Sequence, residues 1–314
     1  MSMVLYRDPV FDGATDPMVI FNRTEGSWWM LYTSRRANAP GSGMAWVHGT
    51  DVGVASLMDD GRNWLYRGTL DLEHEFGRNT FWAPEVVWDG HCYHMYVSYI
   101  RGVPETWAGH PRHILHYTSP DMVQWDGRGA VPLSSDYVID ACVCERPDGG
   151  YRMWYKDESD GASTWVVQSD DLLRWEGPRR AVSTPGGHEG PNVFRFGGAY
   201  WLVVDSWKGQ AVFRSEDQVN WEDAGRILEA SEGDVPGEGV DAGPGHHADV
   251  VVVEDRAFII YFTHPWRDVK GASEWDRRRS VVLAAELEAR GGLLVCDRRR
   301  PLQMAWPAPV TTGS

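Results

Sequence analysis

The sequence predicts an all-β protein with the architecture of a five-bladed β-propeller. Two observations lead to this prediction. A phrase in which Asp precedes Trp by four residues occurs four times, and five matched pairs of short apolar strands recur at a spacing of about 45 to 65 residues. A unit of three or four strands cannot bury both faces alone, so such units pack side by side around a ring.

The repeated phrase ends each of the first four units. Its members are Ser56, Asp60 and Trp64; Ser119, Asp121 and Trp125; Ser169, Asp171 and Trp175; and Ser215, Asp217 and Trp221. An alternating run precedes each phrase (VGVAS, ILHYTS, WVVQS and AVFRS), and this alternation is typical of a strand with one buried face. Each phrase therefore predicts a strand, an Asp-led turn and a structural Trp on the next strand.

Two further strands precede each alternating run, and a fifth pair follows the fourth unit. The pairs are PMVIF and WWMLYTS, PEVVW and YHMYVSY, ACVCE and YRMWYKD, PNVFRF and YWLVVDS, and ADVVVV and AFIIYFT, joined by turn-forming linkers. The fifth unit lacks the Asp-to-Trp phrase, and SVVLAAEL is its predicted third strand. We expect one domain over residues 1–314, and whether residues from both termini close the ring is left open. The alternative is a two-sheet sandwich with repeats that are similar by chance.

Composition and charge exclude several classes of function. The chain has 314 residues, 17 of them Trp, and its 30 Lys and Arg against 45 Asp and Glu give a net charge of −15. This charge opposes binding to nucleic acids and to anionic membranes. No apolar run approaches the roughly 18 residues that span a bilayer, and the N-terminus has no apolar signal segment. We expect a soluble, cytoplasmic protein.

The four cysteines, Cys92, Cys142, Cys144 and Cys296, are predicted to be free thiols. Cys142 and Cys144 are two residues apart on a predicted strand, and no cluster of Cys and His has the spacing of a zinc site. Free thiols suit a reducing compartment. The sequence thus predicts neither a zinc site nor an organic cofactor.

Charged residues cluster at the starts of the first strands of the five units. These strands line the central channel of a propeller, so their starts converge. The five starts read Thr15-Asp16-Pro17, Trp82-Ala83-Pro84-Glu85, Ile139-Asp140-Ala141, His188-Glu189-Gly190-Pro191-Asn192 and Gly245-His246-His247-Ala248-Asp249. Carboxylates that meet in a narrow channel repel one another unless a reaction or a cation holds them there.

Three converging carboxylates are typical of glycoside hydrolysis with inversion. One donates a proton to the leaving oxygen, one activates water on the opposite face of the sugar, and the third orients the acid and raises its pKa. Asp140 follows an apolar segment, where burial of an acid without a role is costly. A turn-forming role is the alternative for Asp16, and a solvated loop position is the alternative for Glu189.

In this order, the phrases TDP, WAPE, IDA, HEGP and a Gly-His segment resemble the five-bladed hydrolases of glycoside hydrolase family 43 and the related family 117, from about residue 8 to about residue 290. The resemblance implies that Asp16 is the catalytic base, that Glu189 is the general acid, and that Asp140 orients the acid and tunes its pKa. It also implies that His247, or its neighbour His246, holds a central cation, often calcium, through waters. A histidine buried in the core is the alternative.

Two of these phrases match the families only in part. WAPE stands where WAPD is usual, so Glu85 either contributes to the site or faces its own blade. Family 117 relatives place a His in the role of the acid, which gives His188 a candidate role beside Glu189.

Basic, acidic and aromatic residues around the predicted channel are candidates for substrate binding: Arg35, Arg36, Trp82, Glu85, Lys156, His188, Trp207 and Lys208. Aromatic faces stack on sugar rings, and Arg binds hydroxyls or carboxylates. The alternative for each is a solvated loop residue. The basic residues that follow the second strand of blades one to four, namely Arg35, Arg36, Arg101, Lys156 and Lys208, favour a substrate with negative charge or many hydroxyls.

The sequence therefore predicts an exo-acting, inverting glycoside hydrolase that releases a terminal sugar from an oligosaccharide, in the manner of an arabinofuranosidase, a xylosidase or an anhydrogalactosidase. One alternative is a phosphorylase, in which phosphate replaces water and binds to the basic cluster. Another is a carbohydrate-binding propeller without catalysis. A homo-oligomer is also left open.

Overall fold

The fold is a ring of five β-sheets, and the prediction of a five-bladed propeller is confirmed. The computed structural model describes residues 3–59, 61–230, 239–302, 304 and 306–308. Within these ranges the regular structure is almost all antiparallel strand, apart from a short 3-10 turn (Glu158–Asp160) and a short helix, α1 (Glu274–Arg278). None of the helical segments described is long or apolar enough to cross a membrane.

Strand β1 (Met3–Tyr6) precedes four blades in which each strand pairs with the next one along the chain. The first blade consists of β2 (Ala14–Asn22), β3 (Ser27–Ser34), β4 (Asp51–Leu57) and β5 (Trp64–Thr69). The second consists of β6 (Thr80–Trp88), β7 (Tyr93–Ile100), β8 (His113–Ser119) and β9 (Asp126–Ala130). The third consists of β10 (Val138–Glu145), β11 (Tyr151–Asp157), β12 (Ser163–Ser169) and β13 (Glu176–Val182). The fourth consists of β14 (Glu189–Phe196), β15 (Ala199–Asp205), β16 (Gln210–Ser215) and β17 (Glu222–Ile227).

Both ends of the chain contribute to the fifth blade. Its consecutive strands are β18 (His246–Val253), β19 (Arg256–Thr263), β20 (Val281–Arg290) and β21 (Leu293–Cys296). The N-terminal strand β1 pairs with the first part of β20, where Met3 lies opposite Ala284, and β21 pairs with the last part, where Cys296 lies opposite Leu287. The ring therefore closes through backbone hydrogen bonds that involve both ends of the described chain.

The repeated Ser, Asp and Trp phrase forms the turn between the third and fourth strands of a blade. Oδ1 of Asp121 accepts hydrogen bonds from the backbone N–H groups two and three residues later, and Asp171 and Asp217 accept the same two bonds. Asp60, which belongs to the first copy of the phrase, lies outside the described residues. The Trp side chains that follow these turns pack on the hydrophobic core: Trp64, Trp125, Trp175 and Trp221.

Side chains of the five inner strands also connect neighbouring blades. We call the equivalent positions on these strands the axial layer: Met18, Glu85, Cys142, Asn192 and Asp249. Oε1 of Glu85 accepts a hydrogen bond from the Val143 N–H of the third blade at 2.7 Å. Oδ2 of Asp249 accepts one from the Val19 N–H of the first blade at 2.8 Å, and its Oδ1 accepts one from the Asn192 side chain at 3.0 Å.

The two acids of the axial layer bind protons more tightly in the folded protein than in water. Burial, and then the charge of Asp249, raises the pKa of Glu85 well above its usual value, although the Val143 N–H opposes this. Burial also raises the pKa of Asp249 to about 6, although the bonds from Val19 and Asn192 oppose it. Because the folded state favours the protonated acids, their contribution to stability is full below pH 4 or so and is lost as the pH rises through the raised pKa values.

Glu85→Gln mimics the protonated acid and can still accept the Val143 hydrogen bond. We expect the melting temperature of the variant, relative to that of the wild-type protein, to increase between pH 5 and pH 8, because only the wild-type protein releases a proton from residue 85 when it unfolds. Thermal unfolding at a series of pH values measures this difference. The exposed Glu145→Gln is the control and should show a constant difference. A difference for Glu85→Gln that shrinks as the pH rises would contradict the account.

Candidate active site

A cavity of 760 Å³ opens at the end of the ring where the inner strands begin. All five blades contribute to its wall, so residues that are far apart in the sequence meet there. One lining residue from each blade, in chain order, is Asp16, Trp82, Asp140, Glu189 and His247. The expected convergence of the strand starts is therefore present in the structure.

A β-bulge at the start of every inner strand determines how these residues are presented. In each blade two residues of the inner strand lie opposite one residue of its neighbour. The bulge places Asp16, Ala83, Asp140 and Gly190 at positive φ values of 49°, 45°, 61° and 57°. Asp tolerates this left-handed region better than most residues. Gly190 is required for a second reason, because a Cβ there would lie 2.6 Å from Cγ of His247.

Asp16 accepts hydrogen bonds from two sides and is only 5% exposed. Oδ2 accepts a bond from the Thr15 hydroxyl at 3.1 Å, and both carboxylate oxygens lie 3.4 Å from Nη2 of Arg35. Nδ1 of His247 lies 3.5 Å from Oδ1. The Arg35 guanidinium is itself held over the Phe262 ring, 5.5 Å from its centroid. These contacts fix the position of the Asp16 carboxyl group.

Asp140 is a buried acid that bridges two neighbouring blades. Its backbone N–H donates to the Ser98 hydroxyl at 2.9 Å, and its Oδ2 accepts from the Gly190 N–H at 3.1 Å. Burial is the largest influence on its pKa and raises it to about 6. The charge of His247 opposes the increase, and that of Glu189 adds to it. Asp140 therefore holds a proton at mildly acidic pH.

Glu189 has the opposite electrostatic environment because a buried ammonium lies beside it. Nζ of Lys156 is 3.1 Å from Oε2 of Glu189 and 3.1 Å from Oε1 of Glu158. Burial raises the pKa of Glu189, but the charges of Lys156 and His247 outweigh it and lower that pKa to about 2. In the free protein Glu189 is thus an ionised partner of Lys156.

A second buried cation extends this group of charges along the wall. Nη1 of Arg112 lies 2.7 Å from Oε2 of Glu158, and the Arg112 side chain is only 2% exposed. Its guanidinium also lies over the Trp107 ring, 4.7 Å from the centroid. Buried charges of this kind need several partners to offset their loss of hydration.

A histidine pair and an aspartate form the part of the wall next to Asp16. Oδ2 of Asp205 lies 3.1 Å from Nδ1 of His246 and accepts the backbone N–H of His247 at 3.1 Å. Burial lowers the pKa of His247, but the carboxylates of Asp140 and Asp16 outweigh it and raise that pKa. His247 therefore tends to carry a positive charge among the acids.

Aromatic side chains form the other parts of the wall. The rings of Trp82 and Trp107 stack with their centroids 5.4 Å apart and their planes at 11°, and Nε1 of Trp82 donates to the Val47 carbonyl. Trp207 is 42% exposed and lies over Lys156, with Nζ 5.6 Å from its ring centroid. Flat, partly exposed indole faces next to polar groups suit a sugar ring.

Four of the residues expected to bind substrate lie outside the lining of this cavity. Arg36 donates to the Ala45 carbonyl, Glu85 belongs to the axial layer, and Lys208 is exposed elsewhere on the surface. His188 is fully buried, and its ring nitrogens lie 2.7 and 2.9 Å from the hydroxyls of two Thr side chains, Thr164 and Thr184. The expectation that His188 reaches the substrate is corrected, because both of its ring nitrogens are already engaged.

The sequence placed five basic residues just after the second strand of blades one to four. This prediction is wrong for Lys156. Arg35 and Arg101 do follow β3 and β7, but Lys156 lies within β11, opposite Ile139. Its counterparts in the first two blades are Thr33 and Ser98. The side chain consequently faces the cavity, while Arg101 is largely exposed and pairs with Glu75.

Several lining residues were not identified from the sequence: Trp107, Arg112, Glu158, Asp205 and Arg267. Asp205 ends β15 directly opposite Glu189, and a comparison of strand ends could have found it. The others lie on connecting segments or beside a strand end. No repeated pattern marks them.

Comparisons with known proteins agree with this architecture. A family model described as "Probable glycosyl hydrolase domain", in the group related to glycoside hydrolase family 43, matches residues 2–232. No curated protein sequence gives a significant match. The solved structures described below are less than 25% identical to the chain, so they support the fold alone.

Three solved structures are similar over nearly the whole chain. A thermostable family-43 glycoside hydrolase is 20% identical with a TM-score of 0.69, over 97% of this chain and 99% of that one. An exo-1,5-α-L-arabinanase from a bovine ruminal metagenomic library is 17% identical with a TM-score of 0.65, over 94% and 100%. A family-43 β-xylosidase/α-arabinofuranosidase from a compost microbial metagenome, in complex with xylotriose and calcium-free, is 15% identical with a TM-score of 0.68, over 95% and 98%.

Lys156→Met keeps the length of the side chain but removes the ammonium between Glu189 and Glu158. We expect it to lower the free energy of unfolding at pH 7 by about 3–5 kcal/mol, because it leaves a buried carboxylate without its partner. The loss should shrink as the pH falls and Glu189 becomes protonated. Urea unfolding at several pH values measures this.

The exposed Lys208→Met is the matched control and should change stability little. Adding Glu189→Gln to Lys156→Met should restore part of the lost stability, since the unpaired charge is then gone. Equal losses in the two Lys variants, or a loss that Glu189→Gln leaves unchanged, would refute the proposed ion pair.

Proposed function

The chain belongs to the family of probable glycosyl hydrolases related to glycoside hydrolase family 43, and we propose that this glycosidase is exo-acting and inverting and releases a terminal sugar from an oligosaccharide. The observation that carries the proposal is that Asp16, Asp140 and Glu189 line one cavity but have different electrostatic environments. Carboxyl groups with separated pKa values are the basis for assigning an acid and a base to a glycosidase.

The shape of the site supports action at a chain end. The cavity has a volume suited to one or two sugar rings. Below it, the hydrogen bonds of the axial layer connect the inner strands. A polysaccharide that continued in both directions would need an open groove instead. Similar structures named as an arabinanase and as a xylosidase/arabinofuranosidase support pentose oligosaccharides as the first substrates to test.

In the proposed reaction Asp16 is the general base. Water attacks the anomeric carbon and gives a proton to the Asp16 carboxylate, while the bond from that carbon to the leaving oxygen breaks. The leaving oxygen takes a proton from Glu189. Thr15 and Arg35 donate hydrogen bonds that hold the Asp16 carboxyl group in position. The positive charge of Arg35 also remains close to the reacting centre.

Glu189 must carry a proton when the glycosidic bond breaks, but Lys156 holds it ionised in the free protein. We propose that sugar hydroxyls accept the hydrogen bonds of the Lys156 ammonium when substrate binds and draw it away from the Glu189 carboxylate. Burial then raises the pKa of Glu189, and it takes up a proton. Asp140 tunes the acid through the repulsion between the two carboxylates, and its bond from the Gly190 N–H fixes its position.

A cation near His247 is part of the proposal. The charges of Asp140 and Asp16 act on His247 and would attract a cation there. Water bound to His247 would hold the ion without direct ligation by Asp16, whose oxygens stay free to accept the proton of the attacking water. When bound, it would supply positive charge next to the base. Because the imidazolium form of His247 competes with a cation, binding should strengthen as the pH rises.

Asp16→Asn preserves the size of the side chain but cannot accept a proton from water. We expect kcat on an arabino- or xylo-oligosaccharide to fall by about 10²–10⁴-fold, the usual contribution of a general base. The exposed Asp148→Asn is the control and should retain full activity. Near wild-type hydrolysis by Asp16→Asn on a confirmed substrate would eliminate this mechanism.

Glu189→Gln should depend strongly on the leaving group. We expect a large loss of kcat on a sugar leaving group, which must be protonated, but a small loss on an aryl glycoside with an acidic phenol. The ratio of the two losses separates a general acid from a residue that only maintains structure. Equal losses on both substrates would show that Glu189 does not supply the proton.

Calcium should raise the melting temperature of the wild-type protein relative to EDTA, because a ligand that binds only the folded state stabilises it. Magnesium at the same millimolar concentration is the control ion, and His247→Ala should remove the calcium effect. No shift in the wild-type protein, or the same shift in His247→Ala, would rule out this cation site.

A phosphorylase is the second candidate because the wall of the cavity is rich in cations. Arg35, Arg112, Lys156 and Arg267 all line it. Among the described residues, Nε of Arg35 and Nε of Arg112 are buried without a hydrogen-bond partner. If phosphate replaces water, turnover should require inorganic phosphate and produce a sugar 1-phosphate. Turnover at full rate in phosphate-free buffer would favour hydrolysis over this alternative.

A further inference from the structure

A cluster of metal-ligating side chains lies on the turn that joins β6 to β7. Asp89 and Cys92 lie in the turn itself, and His94 follows on β7. Trp82, which lines the cavity, is near the other end of β6, about 20 Å away along the extended strand. The cluster is therefore separate from the candidate active site.

The distances among the three side chains resemble those in a tetrahedral zinc site. Nε2 of His94 lies 3.1 Å from Oδ2 of Asp89 and 3.5 Å from Sγ of Cys92, and this Sγ lies 3.8 Å from Oδ2. Zinc bonds of about 2.0 Å to nitrogen and oxygen and about 2.3 Å to sulfur, at tetrahedral angles, place N and O about 3.3 Å apart and place S about 3.5 Å from either. The observed values differ from these by about 0.3 Å or less.

Contacts with other residues orient two of the three side chains, those of Asp89 and His94, towards the centre of the cluster. Oδ1 of Asp89 accepts the backbone N–H groups of His91 and Cys92 at 2.6 and 2.7 Å, which leaves Oδ2 for the cluster. Nδ1 of His94 lies 3.0 Å from Nε2 of the buried His116. Metal-bound histidines usually have such a partner on the nitrogen that does not bind the metal.

The contact with His116 supports this orientation. When the proton between the two rings lies on Nδ1 of His94, Nε2 of His116 accepts it in a hydrogen bond. The Nε2 lone pair of His94 then points towards Asp89 and Cys92, as metal binding requires.

We propose that Asp89, Cys92 and His94 form a zinc site with an open fourth position. Water completes the tetrahedron. The combination of thiolate, imidazole and carboxylate favours zinc over calcium and magnesium, which prefer oxygen ligands alone. This spacing, Asp-x₂-Cys-x-His, differs from the paired Cys and His spacing that is typical of structural zinc sites.

Zinc binding requires the thiol of Cys92 to lose its proton to solvent as the Zn–S bond forms. Because the metal binds the thiolate, the site should bind zinc more tightly as the pH rises. Without metal, Nε2 of His94 and Oδ2 of Asp89 share a hydrogen bond, which is the competing explanation of the geometry.

Cobalt titration of the full chain, kept reduced, distinguishes a metal site from a simple hydrogen bond between Asp89 and His94. We expect one equivalent of Co²⁺ to bind with a thiolate-to-cobalt charge-transfer band, and one equivalent of Zn²⁺ to displace it. Cys92→Ser should abolish the band, and His94→Gln should weaken binding at least tenfold. Cys144→Ser is the matched control, since Cys144 is also half-buried, and it should leave the band unchanged.

Alkylation of the wild-type protein provides a second measurement that needs no variant. Zinc should protect Cys92 from iodoacetamide much more than it protects Cys144 or Cys296, as quantified by mass spectrometry of peptides. The absence of stoichiometric binding, a band that persists in Cys92→Ser, or equal alkylation of Cys92 with and without zinc would overturn the proposal.

Discussion

The bulge at the start of each inner strand is the constraint on which the site depends. Antiparallel pairing alone would send successive side chains to alternate faces of a blade. The extra residue interrupts that alternation in all five blades and places Asp16 and Asp140 in the left-handed region. Such conformations cost of order 1–3 kcal/mol each and persist only where the surrounding structure enforces them. Here the bonds between neighbouring blades do so, including the bond from Gly190 to Asp140.

Once the acids converge, the remaining features of the cavity follow from charge balance. Carboxylates that meet in the cavity without a cation beside them would repel one another. Arg35 lies next to Asp16, Lys156 lies next to Glu189, and Asp140 has no ammonium or guanidinium within hydrogen-bonding distance in the described structure. The acid without a close cation has the raised pKa, and the acid beside the ammonium has the lowered pKa. The different protonation states proposed for the reaction arise from this unequal pairing.

The blades and the acids could be predicted from the sequence because both depend on short local patterns. The turn around Asp121 needs only neighbours within three residues, and the start of an inner strand is recognisable wherever an acid precedes an apolar run. Lys156 could not be placed in the same way, since its orientation depends on its register opposite Ile139. Arg112 and Trp107 lie on long connections, and their contacts form only after the blades pack together.

The stereochemistry of hydrolysis tests the central claim most directly. Proton NMR can follow the anomeric signal of the sugar released from an arabino- or xylo-oligosaccharide before mutarotation equilibrates it. If Asp16 activates water on the face opposite the leaving group that Glu189 protonates, the first product has the inverted configuration. A first product with the retained configuration would mean that a carboxylate attacks the sugar directly, and this would contradict the roles assigned to Asp16 and Glu189.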